Sequence, residues 1–237
     1  MSRMFEIEGK RMQTWNVHVG CNFECEYCNA RSLAEGRLKH LPQYRDGFDN
    51  PHLVESQLKH RFKPGEWVFV GYMGDIRFAK RDDMDEIWLA MMNSPGARFM
   101  FMSKDPFIFE AWQKMWGYEF GSNIYLGTTL ETNREELTGP RSRAPMPASR
   151  AGQMMTMYHP HTIISVEPIM DFDVEILGGW IRRIQPQIVF VGADNYHHHL
   201  PEPHWDKVQA LLDILRETVP AVIEKPGLER LREGDKK

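Results

Sequence analysis

Short apolar runs of strand length alternate with amphipathic helical stretches along almost the whole chain. Six runs are predicted to be strands, at Met12–Val19, Trp67–Tyr72, Arg98–Met102, Ile124–Glu131, Thr162–Glu167 and Gln187–Gly192. Five stretches between them are predicted to be helices, at Asp82–Asn93, Pro106–Trp116, Ala148–Tyr158, Val174–Ile184 and His204–Thr218. Apolar strands that alternate with helices are typical of a parallel sheet covered by helices. The alternation predicts an α/β fold, and six βα units predict a partial (β/α)6 TIM-like barrel.

Length and composition favour a single domain. Of the 237 residues, 42% are hydrophobic and 26% are charged, which is the balance of an ordinary globular protein. We predict one domain over residues 1–237, with its core at 12–225 and a charged tail at 226–237 that is frayed from Arg230 onward. Two long polar connections, Gly36–Pro64 and Thr138–Arg150, interrupt the pattern, and the first is predicted to hold one helix at His52–Phe62.

Charge and hydropathy limit the expected partners. The longest apolar runs fall well short of the roughly 20 residues that span a bilayer, so we expect no membrane partner. Residues 1–4 open no apolar signal segment, and we therefore expect a cytoplasmic location. The net charge of −4 is not the strongly basic footprint of a protein that grips nucleic acid by its phosphates. A local basic patch, and with it DNA as a partner, stays open.

All cysteines of the chain lie together, directly after the first predicted strand. There are three of them, Cys21, Cys25 and Cys28, in the spacing C-x3-C-x2-C. An odd number at close spacing differs from a secreted disulfide framework, so these cysteines are predicted to do chemistry. Thiolates on one loop can turn toward one site, and they suit iron–sulfur clusters or zinc. Because a [4Fe–4S] cluster usually takes four cysteines, one iron would stay open to a small molecule.

Two alternatives remain beside an open cluster. One is a zinc-stabilised binding module without turnover, in which a histidine such as His18 is the fourth ligand. Structural zinc sites usually pair two C-x2-C knuckles, whereas only Cys25 and Cys28 have that spacing here. The other is a cluster protein that serves electron transfer only.

The chain resembles the radical S-adenosylmethionine (SAM) superfamily. The resemblance rests on the C-x3-C-x2-C loop after the first strand, the aromatic Tyr27 before the last cysteine, and the six βα units. Within the superfamily the chain is similar to an uncharacterised group common in phages. Four runs carry that similarity, at Val68–Asp75, Met102–Lys104, Tyr125–Glu131 and Ser165–Pro168.

The resemblance implies an enzyme. A [4Fe–4S] cluster on the three cysteines would bind SAM at its open iron and cleave it reductively, and the resulting 5′-deoxyadenosyl radical would abstract hydrogen from an organic substrate. A low-potential electron donor, ferredoxin or flavodoxin, is the expected partner. The substrate is a small molecule, a peptide, a nucleotide or a modified DNA base, and isomerase, lyase and transferase chemistry all stay open. No side chain is assigned a catalytic role, and no second cysteine-rich region exists for an auxiliary cluster.

Contacts to SAM are expected at the carboxyl ends of the strands, where barrel enzymes place their chemistry. The resemblance implies them for Tyr27, Gly74, Asp75, Thr129, Glu131, Arg143, Glu167 and Gly192. Asp75 shortens the glutamate of the superfamily pattern, and a structural cap is its alternative role. Glu131 is predicted to point inward, and since a buried unpaired charge is costly, we expect Arg143 or Arg150 to pair with it or with the SAM carboxylate. Gly192 would admit a close approach of the adenine ring.

Three further residues on the same edge are predicted to meet substrate. They are Lys104, which suits a carboxylate or phosphate, and Asp194 and Asn195 after the sixth strand, for which helix capping is the alternative. The run His197–His199 is predicted to be a polar surface loop, because adjacent side chains on a loop point in different directions. Near the C-terminus, Ile223–Gly227 is expected to close the sheet edge and bring Lys225 to the same rim.

Overall fold

The computed structural model describes residues 6–7 and 9–234. Its main sheet has seven strands, all paired in parallel, and they are β1 (Gln13–Trp15), β2 (Trp67–Val70), β3 (Arg98–Met102), β4 (Ile124–Thr129), β5 (Thr162–Val166), β6 (Ile188–Val191) and β7 (Ala221–Glu224). The strands lie in the sheet in chain order, so each pairs with its sequence neighbours. The sheet is a half-barrel covered by helices, which confirms the predicted α/β class.

The helices follow the strands in the alternation that the sequence predicts. They are α1 (Asn29–Glu35), α2 (Arg81–Met92), α3 (Phe107–Lys114), α4 (Glu135–Thr138), α5 (Pro147–Thr156), α6 (Val174–Ile184), α7 (Trp205–Thr218) and α8 (Arg230–Gly234). Two small antiparallel sheets join Glu6–Ile7 to Lys10–Arg11 and His18–Val19 to His52–Leu53. No helix in the described part of the chain has the length and apolar character that a membrane crossing requires.

The two faces of the main sheet are buried against different elements. On the outer face, β2 and β3 pack on α2 and α3, while β5 and β6 pack on α5, α6 and α7. On the inner face, Phe69, Met100 and Phe190 pack with Ile7 and Met12 from the N-terminal segment. Burial on both faces is the reason that the strands are apolar without alternation. Each large side chain so buried stabilises the fold by roughly 1.5–3 kcal/mol.

The structure adds a strand and extends the predicted core. β7 pairs with β6 beyond the predicted six units, and its four residues are too few to give a clear pattern. Lys225 follows β7 directly and reaches the rim, as predicted. Leu228 and Leu231 are buried, so the core extends past residue 225 and the prediction of fraying from Arg230 is wrong for α8. Residues 235–237 lie outside the described part of the chain.

The two long connections differ from their predictions. The predicted helix at His52–Phe62 is wrong: His52–Leu53 is a strand, and only a 3-10 turn follows at Glu55–Lys59. Pairing with His18–Val19 causes this, and it also divides the first predicted strand in two. The connection at Thr138–Arg150 holds a 3-10 turn at Gly139–Arg141 and the first residues of α5.

Candidate functional site

A cavity of about 240 Å³ lies at the carboxyl edge of the main sheet. Each of β2 to β7 contributes to its wall, since the carboxyl ends of parallel strands meet at one edge. The lining residues at the strand ends include Gly74, whose backbone is polar, and the polar side chains of Asp75, Ser103, Lys104, Thr129, Ser165, Glu167, Asp194, Asn195 and Lys225. The floor is apolar and includes Phe69, Met100 and Phe190 from the inner face. The cavity therefore combines an apolar interior with a few convergent polar groups, as small-molecule sites do.

The cysteine loop forms one side of this cavity. Cys25 and Cys28 line the cavity, and Cys21 is buried in the adjoining apolar cluster. All three are free thiols. The amide of Cys21 donates to the carbonyl of Phe48 at 2.9 Å, and the Cys28 sulfur accepts the amide of Arg31 at 3.3 Å as the cap of α1. The loop is thus tied at both ends.

The arginine-rich connection braces the middle of the cysteine loop. The amide of Glu26 donates to the carbonyl of Arg141 at 2.9 Å, and the amide of Arg143 donates to the carbonyl of Phe23 at 2.7 Å. Between them, the hydroxyl of Ser142 lies 3.1 Å from the sulfur of Cys25. Residues 141–143 therefore hold the cysteine loop through their backbone, and the side chains of Arg141 and Arg143 add ion pairs to Glu26 and Glu24 of the loop.

A buried network of charges supports the loop at Tyr27. The Tyr27 hydroxyl donates to Oε1 of Glu131 at 2.8 Å, and Glu131 is fully buried. Two cations flank the same carboxylate: Arg150, with Nη2 3.0 Å from Oε2, and Lys104, which also bonds Oε1. Lys104 Nζ lies 3.1 Å from the Tyr27 hydroxyl and 4.9 Å from the centre of its ring. The burial of Glu131 is compatible with its charge because of these partners.

Burial is the main cause of the pKa shifts of Cys21, Cys28 and Lys104 around the loop. It raises the pKa of the Cys21 thiol, with the charge of Asp75 as a second cause, and it raises the pKa of Cys28. Burial also lowers the pKa of Lys104 to about 8. Both shifts favour the protonated thiol, and metal ligation would require the thiolate and release the proton.

The three thiols are donors that suit an iron–sulfur cluster or zinc. Within residues 6–7 and 9–234, no three His, Cys, Asp or Glu side chains gather closely enough for a single metal ion. Thiolates that share a zinc at 2.3 Å would lie only about 3.8 Å apart, whereas in a cluster each cysteine binds a different iron. His18, the zinc ligand of the alternative, is fully buried, and burial lowers its pKa to about 4. The cluster itself stays a prediction.

Most of the residues predicted to bind SAM meet at this cavity. Tyr27, Gly74, Asp75, Thr129 and Glu167 line it, and Glu131 bonds two lining residues, Tyr27 and Lys104. The carboxylate of Asp75 accepts three protein bonds, from the Ser103 hydroxyl at 2.7 Å and from the amides of Lys104 and Arg77 at 2.9 Å each. Asp75 therefore has the capping role that the sequence left as its alternative.

Two of the SAM predictions are corrected. Arg143 lies outside the cavity, where its largely exposed side chain pairs with Glu24 at 2.7 Å. Arg150, inside α5, is the arginine that meets Glu131, because the helix turns it inward while residues 141–143 run along the surface of the loop. Gly192 does not line the cavity. A Cβ on Gly192 would lie 2.9 Å from the carboxyl carbon of Glu167, so this glycine makes room for Glu167 rather than for an adenine ring.

The predicted substrate residues also line the cavity, with their polar groups engaged. Asp194 accepts the amides of Tyr196 at 3.3 Å and Leu200 at 3.5 Å, and so holds its own loop. The side-chain Nδ2 of Asn195 donates to the carbonyl of Pro226 at 2.8 Å. Asp194 does not cap the following helix, because that helix, α7, begins at Trp205 with His204 as its N-cap. Glu167 pairs with the buried Lys225 across the ends of β5 and β7.

The sequence prediction missed His198. His197 and His199 are exposed, as predicted, but His198 between them lines the cavity. Both neighbours have left-handed backbone, with φ of 59° and 57°, and this turns the middle side chain away from theirs. Three consecutive histidines carry no pattern that could have distinguished the middle one.

Comparison with known proteins adds no family, because no protein-family model matches the chain and no curated protein is significantly similar to it.

Proposed function

We propose that the protein holds a [4Fe–4S] cluster on Cys21, Cys25 and Cys28 and cleaves SAM reductively, as a partial TIM-like barrel of the radical SAM superfamily. One observation carries the proposal: three free cysteines share a loop at the carboxyl edge of a parallel sheet, and two of them line the cavity there. When bound, such a cluster supplies the electron that divides SAM into methionine and a 5′-deoxyadenosyl radical, which takes hydrogen from a substrate.

The residues of the chain would position the reactants and exclude water. Backbone bonds to Phe48 and to residues 141–143 hold the cysteine loop in place without a metal. The apolar floor of Phe69, Met100 and Phe190 keeps water from the space beside Cys25 and Cys28. Thr129 and the backbone of Gly74 offer hydrogen bonds to SAM from the same side of the cavity.

The partners follow from this chemistry. Reduction of the cluster requires a low-potential donor, for which ferredoxin or flavodoxin is proposed. The substrate is an organic molecule that enters the cavity beside SAM. The net charge of −4 disfavours tight binding of duplex DNA and leaves small molecules and nucleotides.

The test is anaerobic reconstitution with iron and sulfide, followed by incubation with SAM and dithionite. We expect a brown protein that forms 5′-deoxyadenosine. Cys25→Ala is expected to lose both the colour and the product, because it removes a thiol from the cavity wall. Ser142→Ala is the matched control: it removes the hydroxyl 3.1 Å from that sulfur and keeps all three thiols, so cluster and product should persist.

The alternatives give different outcomes in the same experiment. A colourless protein that retains zinc would identify the zinc-stabilised module. A brown protein that forms no 5′-deoxyadenosine would identify a cluster used for electron transfer only. Either result would overturn the proposed SAM cleavage.

A further inference from the structure

We propose that Arg230 is a positioning residue of the cavity, and that it acts through Asp194 and Glu202 on the loop that forms the cavity wall after β6. We call this loop, residues 193–200, the wall loop. The inference deepens the proposed function and rests on it only for taking SAM as the molecule that the wall meets.

The wall loop forms a part of the cavity that regular secondary structure does not hold. It supplies five of the residues that line the cavity, which are Ala193, Asp194, Asn195, Tyr196 and His198. All five lie outside the helices and strands, because β6 ends at Val191 and α7 begins at Trp205. Their backbone groups therefore depend on other partners for their position.

Arg230, the first residue of α8, provides such a partner. Its Nη2 donates to the backbone carbonyl of Asp194 at 2.9 Å and also pairs with the carboxylate of Glu202. Oε1 of Glu202 in turn accepts the backbone amide of Asp194 at 2.8 Å. The ion pair of Arg230 and Glu202 thus bonds both the carbonyl and the amide of one residue of the wall loop. Bonds to charged groups of this kind are stronger than neutral ones.

Asp194 connects this held end of the wall loop to the rest of it. Its side chain is buried, and its carboxylate accepts the amides of Tyr196 and Leu200. Leu200 is buried in an apolar cluster with Tyr27, and Cys25 packs against that cluster. The position of Asp194 therefore affects the wall loop as far as its contact with the cysteine loop.

A second contact joins the segment before α8 to the wall loop. Nδ2 of Asn195 donates to the carbonyl of Pro226 at 2.8 Å. Gly227 lies against the same side chain with a φ of 94°, and a Cβ there would overlap the amide group of Asn195, so this position requires glycine. Leu228 and Leu231 are buried in the core beneath α6 and α7. The segment that holds the wall loop is therefore itself anchored in the core.

Hydrogen exchange of the full chain tests whether Arg230 holds the wall loop. In Arg230→Gln the amides of residues 194–200 should exchange about tenfold faster, because the loop loses a charge-assisted bond and Glu202 loses its partner. Amides of the main sheet should keep their rates, since 39% of the Arg230 side chain is exposed and its loss leaves the core intact. Arg230→Lys keeps the charge that pairs with Glu202 and should give an intermediate rate.

The matched control is Arg232→Gln. Arg232 is an exposed arginine on the same helix, and its guanidinium lies over the ring of Trp205, 4.5 Å from the ring centre. Its replacement should leave the exchange of the wall loop unchanged. Gly227→Ala disturbs the second contact and should accelerate exchange in the wall loop as Arg230→Gln does.

Titration calorimetry of the reconstituted protein with S-adenosylhomocysteine, without reductant, tests whether the wall serves the site. Arg230→Gln should bind it about tenfold more weakly, because a smaller fraction of the molecules then has the wall formed. Arg232→Gln should bind it as the wild type does. In the dithionite-driven assay Arg230→Gln should raise KM for SAM and leave kcat unchanged, because the wall is formed in the molecules that have bound SAM.

Equal exchange rates in the wild type and Arg230→Gln would overturn the inference, and so would equal effects of Arg230→Gln and Arg232→Gln. A faster-exchanging wall loop that binds S-adenosylhomocysteine with wild-type affinity would also overturn it. If the wild type binds no S-adenosylhomocysteine, the proposed function fails, and the exchange rates still decide whether Arg230 holds the wall loop. If SAM is cleaved and Arg230→Gln behaves as the wild type, the inference fails and the proposed function stands.

Discussion

The two sides of the cavity use their charges differently. On the near side, beside the cysteine loop, Glu131 is fully buried and contacts two cations and the Tyr27 hydroxyl. On the far side, Glu167 has one cationic partner, Lys225, and its side chain is 19% exposed to the cavity mouth. On the near side, the polar groups named here bond to one another. The far side keeps groups within reach of a ligand.

The sharpest test of this contrast is to neutralise each carboxylate. Glu131→Gln leaves Lys104 and Arg150 buried without their counter-charge, and breaking a buried pair in this way destabilises a protein by about 3–5 kcal/mol. Glu167→Gln should cost clearly less, because its carboxylate is partly solvated and leaves only one cation unpaired. Urea unfolding measures both values.

The control for the charge change is Glu24→Gln. Glu24 pairs with Arg143 on the surface, and exposed pairs of this kind contribute about 0–1 kcal/mol. Equal destabilisation by Glu131→Gln and Glu167→Gln would contradict the difference between the near side and the far side of the cavity.

A second test compares two histidines by their response to pH. Burial lowers the pKa of His18 to about 4, against 6.5 for an unperturbed histidine. Because the folded-state pKa is depressed, the unfolded chain binds the proton first as pH falls. Stability should therefore be full above pH 6.5 and decrease from 6.5 toward 4, by up to about 3 kcal/mol from this residue.

Unfolding free energies measured across that range check the expectation. His18→Leu should flatten the profile, because the side chain no longer takes up a proton. The exposed His40 is the control, and His40→Gln should keep the slope of the wild type. An unchanged slope in His18→Leu would mean that other groups cause the acid sensitivity.

The smallest expected effect tests how the far side is built. Gly192→Ala would place a Cβ 2.9 Å from the Glu167 carboxyl carbon, so the carboxylate must move away from its position. We expect the free energy of unfolding to decrease by about 1–3 kcal/mol, as for other overpacked buried sites. Gly179→Ala in α6 is the matched control, since nothing lies within 4 Å of its Cβ, and it should stabilise the helix by about 0.5–1 kcal/mol. An unchanged free energy of unfolding in Gly192→Ala would contradict the close contact between Gly192 and Glu167.

Elements with a strong local pattern were predicted well. The helix at Val174–Ile184 and the strand at Arg98–Met102 have the bounds that their periodicity predicts. Prediction was wrong at His52–Phe62, where helical spacing of apolar residues competes with strand pairing to His18–Val19. The local spacing of apolar residues does not show a strand partner that lies more than thirty residues away in the sequence.

Some features of the site could be predicted from the sequence and others could not. The cysteine spacing and the acids at the strand ends could be found from sequence, because residues that follow parallel strands meet at one edge. The sequence could not show that Arg150 rather than Arg143 pairs with Glu131, because both arginines lie in or next to the same connection. Only the start of α5 turns Arg150 inward. Gly192 and Glu167 were both found from the sequence, but the close contact between them was not, because they follow different strands.

By itself the sequence determined the alternation of strands and helices, the single loop that carries every cysteine, and the edge of the sheet where polar residues collect. These properties depend on the spacing of residues within one segment, and that spacing can be read directly from the sequence. Tertiary structure alone decided which cation meets Glu131, which histidine enters the cavity, and which charges stay available to a ligand. Those outcomes depend on distances between segments far apart in sequence, and packing sets such distances only when the whole sheet has formed.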